Sequence, residues 1–443
     1  MALSGLDIYK LLPKTNCRQC GFATCLAYAM QLAKKAVGLD KCPFLSEDAK
    51  KTLEASSQPA IRLVSVGEGE AKFCAGNETV LFRHEEKFHH PCGIGFILDD
   101  SLSDAELKAR LKKISGLNFE RVGQQLSPDL VAVRNMKDAA RFAQVARLVM
   151  DNTRFPLILM SEDIEALRQG LKVAAGLRPL VYRATQKNAS EAAALCLEFK
   201  CPLVASAEDT DALSGLTALL EGQGIGDLFV ELGPQPQDEL LWNITQIRRQ
   251  ALKKNNRRLG FPVLVVAEDD DPQKEAMQAA TWIAKYAGIV LIRNIDPAEA
   301  LSLLTLRQNI YTDPQKPLQI EPKLYGVGQA GDTSPVLVTT NFSLSYYTVL
   351  GEVEASKVPA HILSIDTEGM SVLTAWAAEK FTPEKIAQAI EKAGLKEVVS
   401  HNKIVIPGYV AVMSGDLQEA SGWQVVVGPK EAAGLPSFLK NFS

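Results

Sequence analysis

The sequence predicts an α/β protein with a small N-terminal head, a central (β/α)8 barrel of TIM type and a C-terminal open α/β sheet of Rossmann or flavodoxin type. Three observations predict it. Eight short apolar runs, each followed by a stretch of helical period, fill the middle of the chain. A Pro- and Gly-dense segment without period comes next, and four further strand-like runs follow it. Four of the eight cysteines fall within the first 42 residues.

A chain of 443 residues exceeds one ordinary domain, so two or three are expected. Apolar residues make up 47% and charged residues 23%, enough to bury a core. The net charge is −4 with the signs interspersed, which lacks the basic excess of a nucleic-acid binder. No apolar run approaches the roughly 18 residues of a membrane span. The N-terminus has no apolar core of the signal-peptide kind, so a cytoplasmic protein is expected. In a reducing compartment clustered cysteines bind metal rather than pair with each other.

Residues 1–58 read as the head. A helix is expected over 24–37, with Leu26, Ala29, Met30, Ala33 and Val37 on its packing face. A second short helix should start at Ser46, and Ser56-Ser57-Gln58-Pro59 marks a boundary. Residues 59–92 form a short β connection, because 61–90 alternates apolar and polar residues between Gly and Asn turns. Residues 93–311 carry the eight β-α units, with strand runs at 95–100, 130–135, 156–161, 179–184, 202–207, 228–233, 262–267 and 289–294. Continuous Val, Ile and Leu strands separated by helices mean parallel strands buried on both faces. Eight units close a barrel; an open doubly wound sheet is the alternative. Residues 312–335 read as a linker or an ordered wrap. Residues 336–443 form the last domain, with mainly parallel strands at 336–341, 361–366, 403–408 and 423–428.

The head carries the clearest chemistry. Cys17, Cys20, Cys25 and Cys42 have the spacing C-x2-C-x4-C-x16-C, and Pro43 follows the last. Two thiolates two residues apart turn toward one centre, and four satisfy a [4Fe–4S] cluster. Gly21 permits the tight backbone around it. Thr24 reads as an N-cap, so Cys25 opens a helix whose positive end faces an anionic cluster. Structural zinc is the alternative, but four-cysteine zinc sites usually pair two short C-x2-C loops.

The opening LDIYKLLPKTNCRQCGFATCLAYA, the eight-unit middle, and the stretches VTTNFSLSYY and DTEGMSVLTAW together resemble the large (gamma) subunit of the corrinoid iron–sulfur protein of the acetyl-CoA (Wood–Ljungdahl) pathway. The resemblance covers the whole chain. It implies a methyl-group carrier acting as a subunit of a methyl-transfer system. Its cobalt, as Co(I), takes a methyl group from methyltetrahydrofolate through a partner methyltransferase and passes it to acetyl-CoA synthase. The [4Fe–4S] cluster, fed by a low-potential electron donor, returns stray Co(II) to Co(I). A small barrel-shaped subunit completes a heterodimer.

In an open α/β sheet, ligands lie beyond the carboxyl ends of the strands. Here those ends carry Thr339-Thr340-Asn341, Asp366-Thr367-Glu368-Gly369, Pro407-Gly408-Tyr409 and Gly428-Pro429. Small and polar residues of this kind permit close approach and offer hydroxyl and amide donors to a corrin ring. The resemblance carries the cobalamin contact to Thr340, Ser343, Tyr346, Gly369, Met370, Ser371 and Val372, and further to Gly408, Ala432 and Ala433. Without it, these read as turn and cap residues. Gly369 to Val372 is expected to open a long helix with free N–H groups facing the ligand.

Many cobalamin domains carry Asp-x-His-x-x-Gly, whose histidine ligates cobalt. The five histidines here, at 84, 89, 90, 361 and 401, lie in no such pattern. A base-off corrinoid without a protein histidine ligand is therefore expected, which eases reduction to Co(I). His361 begins a strand and reads as packed. The stretch His89-His90-Pro91-Cys92, with Cys74, has metal-binding residue types, but adjacent histidines diverge and a solvated loop is expected. Cys196 and Cys201 read as buried small hydrophobes.

At the carboxyl ends of the barrel strands stand Asp99-Asp100, Arg134-Asn135, Ser161-Glu162-Asp163, Glu231, Glu268-Asp269 and Arg293-Asn294. They form no recognised catalytic set, and a docking scaffold or a cover for the corrin is the expected role. Two other classes compete. A flavin-binding iron–sulfur electron-transfer protein would use the C-terminal sheet, although no G-x-G-x-x-G follows a strand. A self-contained pterin-dependent methyltransferase would use the barrel.

Overall fold

The computed structural model describes residues 5–33, 37–46, 49–50, 53 and 59–442. It separates into two compact units, 1–118 with 127–311, and 119–126 with 312–443. Among the described residues no helix is long and apolar enough to cross a membrane.

The head begins with a helix that the sequence reading did not anticipate, Gly5–Leu11. The helix Cys25–Ala33 follows, with Thr24 Oγ1 accepting from Ala27 N at 3.0 Å as an N-cap does. Its inner face differs from expectation. Cys25, Tyr28 and Ala29 are buried with Ile8 and Leu12, whereas Leu26 and Met30 are 37% and 43% exposed. The i, i+3, i+4 stripe is the same in kind but rotated by one residue, because the aromatic Tyr28 takes the centre of this small core. Residues 34–36, most of the helix expected from Ser46, and Ser56-Ser57-Gln58 lie outside the described residues.

Strands β1 (Val64–Glu68) and β2 (Ala71–Ala75) pair antiparallel. Residues 79–85 are irregular and end in a turn at 83–85, not the third strand that their alternation suggests. The hairpin plugs the amino end of the barrel. Val64, Val66 and Ala75 share one core with Ile97, Leu180 and Phe229, and Gly67 N donates to Arg178 O just before a barrel strand.

The eight expected barrel strands all form. They are β3 (Gly93–Asp99), then β6 (Leu130–Arg134), β7 (Leu157–Met160), β8 (Leu180–Ala184), β9 (Leu203–Ala207), β10 (Leu228–Leu232), β11 (Val263–Val266) and β12 (Ala287–Ile292). All neighbouring pairs are parallel, and β12 pairs with β3 to close the ring. Ile97, Ala132, Ile158, Leu180, Val204, Phe229, Leu264 and Ile289 fill the interior. Each large apolar side chain so buried contributes about 1.5–3 kcal/mol. Between β3 and β6 the chain makes a short hairpin, β4 (Phe119–Arg121) with β5 (Gln124–Leu126), which belongs to the second unit.

The second unit holds a five-stranded sheet in the order β13-β15-β14-β16-β17. The strands are β13 (Leu324–Val327), β14 (Val336–Thr340), β15 (Ala360–Ile365), β16 (Lys403–Ile406) and β17 (Gln424–Val427). β13 lies inside the segment expected to be a linker. It runs antiparallel to β15 at the sheet edge, where a four-residue strand can form beside prolines that would interrupt a longer one. The four parallel strands have the flavodoxin-like order 2-1-3-4 by sequence. Val336, Val338, Leu363, Ile365, Ile404 and Ile406 bury one face, and Leu337, Ile362, Val405 and Tyr346 the other.

Candidate cofactor sites

The cysteine loop of the head has an unusual backbone. Lys14, Asn16 and Arg18 have φ of 58°, 49° and 62°, and Gly21 has 83°. Left-handed residues alternating with ordinary ones fold a chain into a nest, a concavity of N–H groups that suits anions, iron–sulfur clusters included. Asn16 ties this loop to the helix that Cys25 opens: its Oδ1 accepts from Cys25 N at 2.8 Å, and its own N donates to Cys25 Sγ at 3.4 Å. Tyr28 ties the far side. Its hydroxyl donates to Gly38 O at 2.8 Å, drawing in the turn before Cys42. Burial, then the charges of Cys42 and Cys20, push the Tyr28 hydroxyl up to about 12, so it remains a donor.

All four thiols are free. Cys25 is buried, Cys20 and Cys42 are half-buried and Cys17 is exposed. The Gln19 backbone, then the Thr15 side chain, hold the Cys17 thiol below its ordinary value, favouring the thiolate that binds metal. Among the described residues no three His, Cys, Asp or Glu side chains are gathered closely enough to hold a metal ion. The donor set and the anion-directed backbone fit an iron–sulfur cluster in chemistry.

The His89-Cys92 stretch is tied down rather than free in solvent. Glu78 Oε1 accepts from His89 N and His90 N, both at 2.9 Å, and His90 Nδ1 lies 2.7 Å from Gly76 O. Cys92 is fully buried, which pushes its thiol far up.

In the second unit the strand order reverses between β14 and β16. These strands pair at one position, Leu337 with Val405, and a cavity of about 290 Å³ opens beside it. It is lined by Leu337, Val338 and Thr339, by Val405, Ile406, Pro407 and Tyr409, and by Gly428 to Lys430. The helix Ser343–Ser356 adds Leu344, Ser345, Thr348 and Val349. Leu344 and Tyr409 are 66% and 45% exposed, so the apolar lining continues onto the surface.

Of the residues the resemblance singles out, Ser371, Val372 and Ala432 line this cavity. Gly408 stands beside it, between lining residues. A Cβ there would meet Gly428 O at 2.6 Å and Lys430 N at 2.8 Å, so only glycine lets these two strand-end loops close up. Thr340, Ser343, Tyr346, Gly369, Met370 and Ala433 are outside the lining. Thr340 follows Val336 and Val338 on the other face of β14, where its Oγ1 is buried with no hydrogen-bond partner among the described residues. Tyr346 is buried against Tyr325, with ring centroids 4.9 Å apart. The glycine-dependent closure at 408, beside the cavity, is a feature that a bound ligand would explain; the Thr340 hydroxyl faces away from it.

Asn341, named among the strand ends but given no contact by the resemblance, is a positioning residue. It is 1% exposed, and its Oδ1 accepts from Thr367 N, Thr367 Oγ1 and Gly369 N, each at 3.0 Å. This fixes the loop that carries Ser371 and Val372. The helix expected to be long after Gly369 is short, Val372–Ala377. Lys380 N and Phe381 N both return to Ala375 O, Phe381 is fully buried, and Thr382-Pro383 starts a new helix.

The arginines at the barrel's carboxyl ends are each paired with carboxylates. Arg134 donates to Asp99 at 2.6 Å and to Glu268 at 2.8 Å, and Arg293 donates to Glu268 at 2.7 Å. Asp99, then Glu268, hold Arg134 all the more firmly protonated. On the other four strands Arg183 bridges Glu162 at 2.8 Å and Glu231 at 3.0 Å. Tyr182 donates to Glu231 at 2.6 Å. Asp100 accepts from Met136 N and Asn135 Nδ2, and Asp163 caps its helix.

Residues 63–439 match the family model CdhD, described as the CO dehydrogenase/acetyl-CoA synthase delta subunit. Residues 12–44 match the FeS model, for an Fe–S cluster. The corrinoid/iron–sulfur protein large subunit of Moorella thermoacetica is 42% identical over 441 residues, covering 99% of each chain. The acetyl-CoA decarbonylase/synthase complex subunit gamma of Methanothermobacter thermautotrophicus is 35% identical over 453 residues, again 99% of each. Among solved structures, 7,8-dihydropteroate synthase from Vibrio fischeri ES114 aligns with a TM-score of 0.40 at 10% identity, over 51% of this chain and 95% of that one.

Proposed function

Because this chain belongs to the family of corrinoid/iron–sulfur protein large subunits and acetyl-CoA decarbonylase/synthase gamma subunits, we propose that it is a methyl-group carrier between a methyltetrahydrofolate methyltransferase and acetyl-CoA synthase. When bound, the corrinoid supplies a cobalt that takes up and releases a methyl group, and a [4Fe–4S] cluster supplies the low-potential electron that restores it. A small partner subunit and a low-potential electron donor complete the system. The cluster is assigned to Cys17, Cys20, Cys25 and Cys42.

The cavity at the β14–β16 reversal carries the reading. Ligands in sheets of this order sit at that reversal. A cavity of about 150 Å³ holds benzene, so one of about 290 Å³ accepts a fused two-ring aromatic base. This supports a base-off corrinoid whose detached base is buried here; that its cobalt takes no protein histidine rests on the sequence, where no histidine lies in an Asp-x-His-x-x-Gly pattern. The exposed Leu344 and Tyr409 at the mouth, with Leu373 and Trp376 exposed on the adjoining helix, offer apolar surface to the corrin ring. Asn341 holds the Thr367–Gly369 loop that leads to Ser371 and Val372. Gly369 then serves the ring through that loop, while Thr340 packs on the other face of β14. Ser343, Tyr346 and Met370, with Ala433, support the lining from behind or beside it. The barrel's role is that of a scaffold, because Arg134, Arg183 and their carboxylates are spent on each other.

The test is metal analysis with electron paramagnetic resonance on anaerobically purified protein. About one cobalt and about four iron per chain are expected. The Co(II) signal should show no nitrogen superhyperfine coupling. Such coupling would overturn the base-off assignment, and iron without corrinoid would overturn the carrier reading.

A further inference from the structure

We propose that the Lys430 ammonium, at the rim of the β14–β16 cavity, is the counter-ion of the phosphodiester in the corrinoid's nucleotide arm, so that the site selects corrinoids carrying a complete phosphorylated arm. This rests on the corrinoid reading above. Lys430 is the only charged residue among the described residues that line the cavity; the others are apolar, glycine, proline or hydroxyl-bearing. An apolar cavity with a single cation at its edge matches a ligand with an uncharged aromatic end and an anionic link beside it. In a nucleotide the phosphate stands one sugar away from the base, so a base buried in the cavity brings its phosphate to the mouth.

Two further observations bear on that charge. The main chain of Lys430 is held against the β16 loop, since its N would stand 2.8 Å from a Cβ on Gly408 and Gly408 N donates to Pro429 O at 3.1 Å. The adjacent carboxylate does not use the ammonium. Glu431 instead accepts from the Tyr409 hydroxyl across the same rim. Lys430 itself is exposed, so its charge reaches an incoming anion without desolvation cost from the protein.

The experiment titrates the full chain, in complex with its small subunit and freed of corrinoid, with three ligands. These are cobalamin in the Co(II) state, cobinamide, which lacks both nucleotide and phosphate, and flavin mononucleotide, a phosphate monoester. Lys430→Gln should weaken cobalamin about three- to fivefold, the size of an exposed ion pair, with the difference shrinking at high salt. Cobinamide binding should not change, and Lys430→Arg should retain the wild-type preference. Equal weakening of cobalamin and cobinamide, or no effect on either, overturns the proposal while leaving the corrinoid reading in place. Wild-type protein that binds neither corrinoid, whether or not it binds the flavin, overturns the corrinoid reading and this inference with it.

Discussion

Replacing Asn341 with alanine should unfasten the loop that shapes the cavity at the β14–β16 reversal. The side chain is buried, and its Oδ1 satisfies Thr367 N, Thr367 Oγ1 and Gly369 N at once. Its Nδ2 donates to Gln319 Oε1 at 3.2 Å and to Asp366 Oδ1 at 3.3 Å. Thr367 Oγ1 keeps a second partner in Met370 O, so the loss falls mainly on two buried amides. Leaving a buried donor unpaired costs about 1–3 kcal/mol, so Asn341→Ala should cost the C-terminal unit roughly 2–6 kcal/mol. At about 3 °C per kcal/mol for a unit of this size, its melting temperature should fall by about 6–18 °C. The assay is calorimetry of the full chain, paired with cobalamin titration. A melting temperature within about 2 °C of wild type would show that something other than Asn341 holds the loop, and would remove it from the site.

Gly408→Ala should weaken cobalamin binding, since its Cβ would press on three backbone atoms of the β17 loop within 2.9 Å. Gly415→Ala, with nothing within 4 Å, should not, and equal effects would refute the close-approach argument. In cluster-free protein, iodoacetamide should modify Cys17 before Cys25, because Cys17 is exposed and its thiol titrates below the ordinary value while Cys25 is buried. The Cys17 rate should therefore rise at lower pH than that of an ordinary thiol, and protection on cluster loading, read by mass spectrometry, should abolish it. Arg134→Met should destabilise the barrel by about 1–3 kcal/mol in denaturant unfolding, because Asp99 loses its cation and Glu268 is left with Arg293 alone. Adding Glu268→Gln should recover part of that loss; full additivity of the two changes would mean that they are not coupled.

The barrel was legible because its strands are buried on both faces. Runs such as Leu130–Arg134 and Leu228–Leu232 are nearly continuous apolar residues, and eight of them leave little choice of architecture. The plugging hairpin was legible in part, since alternation cannot separate a strand from an irregular stretch such as 79–85. The N-terminal helix and β13 were not. Each is short, and each is held by partners far away in sequence: Ile8 by Tyr28, and Tyr325 by Tyr346. In the C-terminal site the strand ends were legible but the side of the sheet was not. Along β14 the two threonines point to opposite faces, so Thr339 lines the cavity while Thr340 is buried on the other side. A shift of one residue exchanges the two faces of a strand, and sequence alone carries no mark of which face holds the ligand.

The two candidate sites share a kind of signal that side-chain motifs miss. In the head it is the alternation of left-handed residues at Lys14, Asn16 and Arg18. In the C-terminal unit it is Glu368 and Gly369, both at positive φ, and the mutual approach of Gly408 and the β17 loop. Lysine, arginine and glutamate rarely take that conformation, because the Cβ crowds the backbone and costs about 1–2 kcal/mol. The cost is met only where surrounding hydrogen bonds over-determine the turn. Asn16 and Asn341 do this in their respective units, each accepting backbone N–H groups that ordinary turns would leave to water. The barrel, by contrast, keeps its charges in closed pairs at the end where this fold usually works. Its polar residues were visible in the sequence, but only their pairing shows that they are committed to one another. The barrel has left-handed residues of its own, at Arg178, Lys200, Asn255 and Tyr286, so it is the closed pairing of its polar groups, not a lack of strained backbone, that sets it apart from the two parts assigned to cofactors.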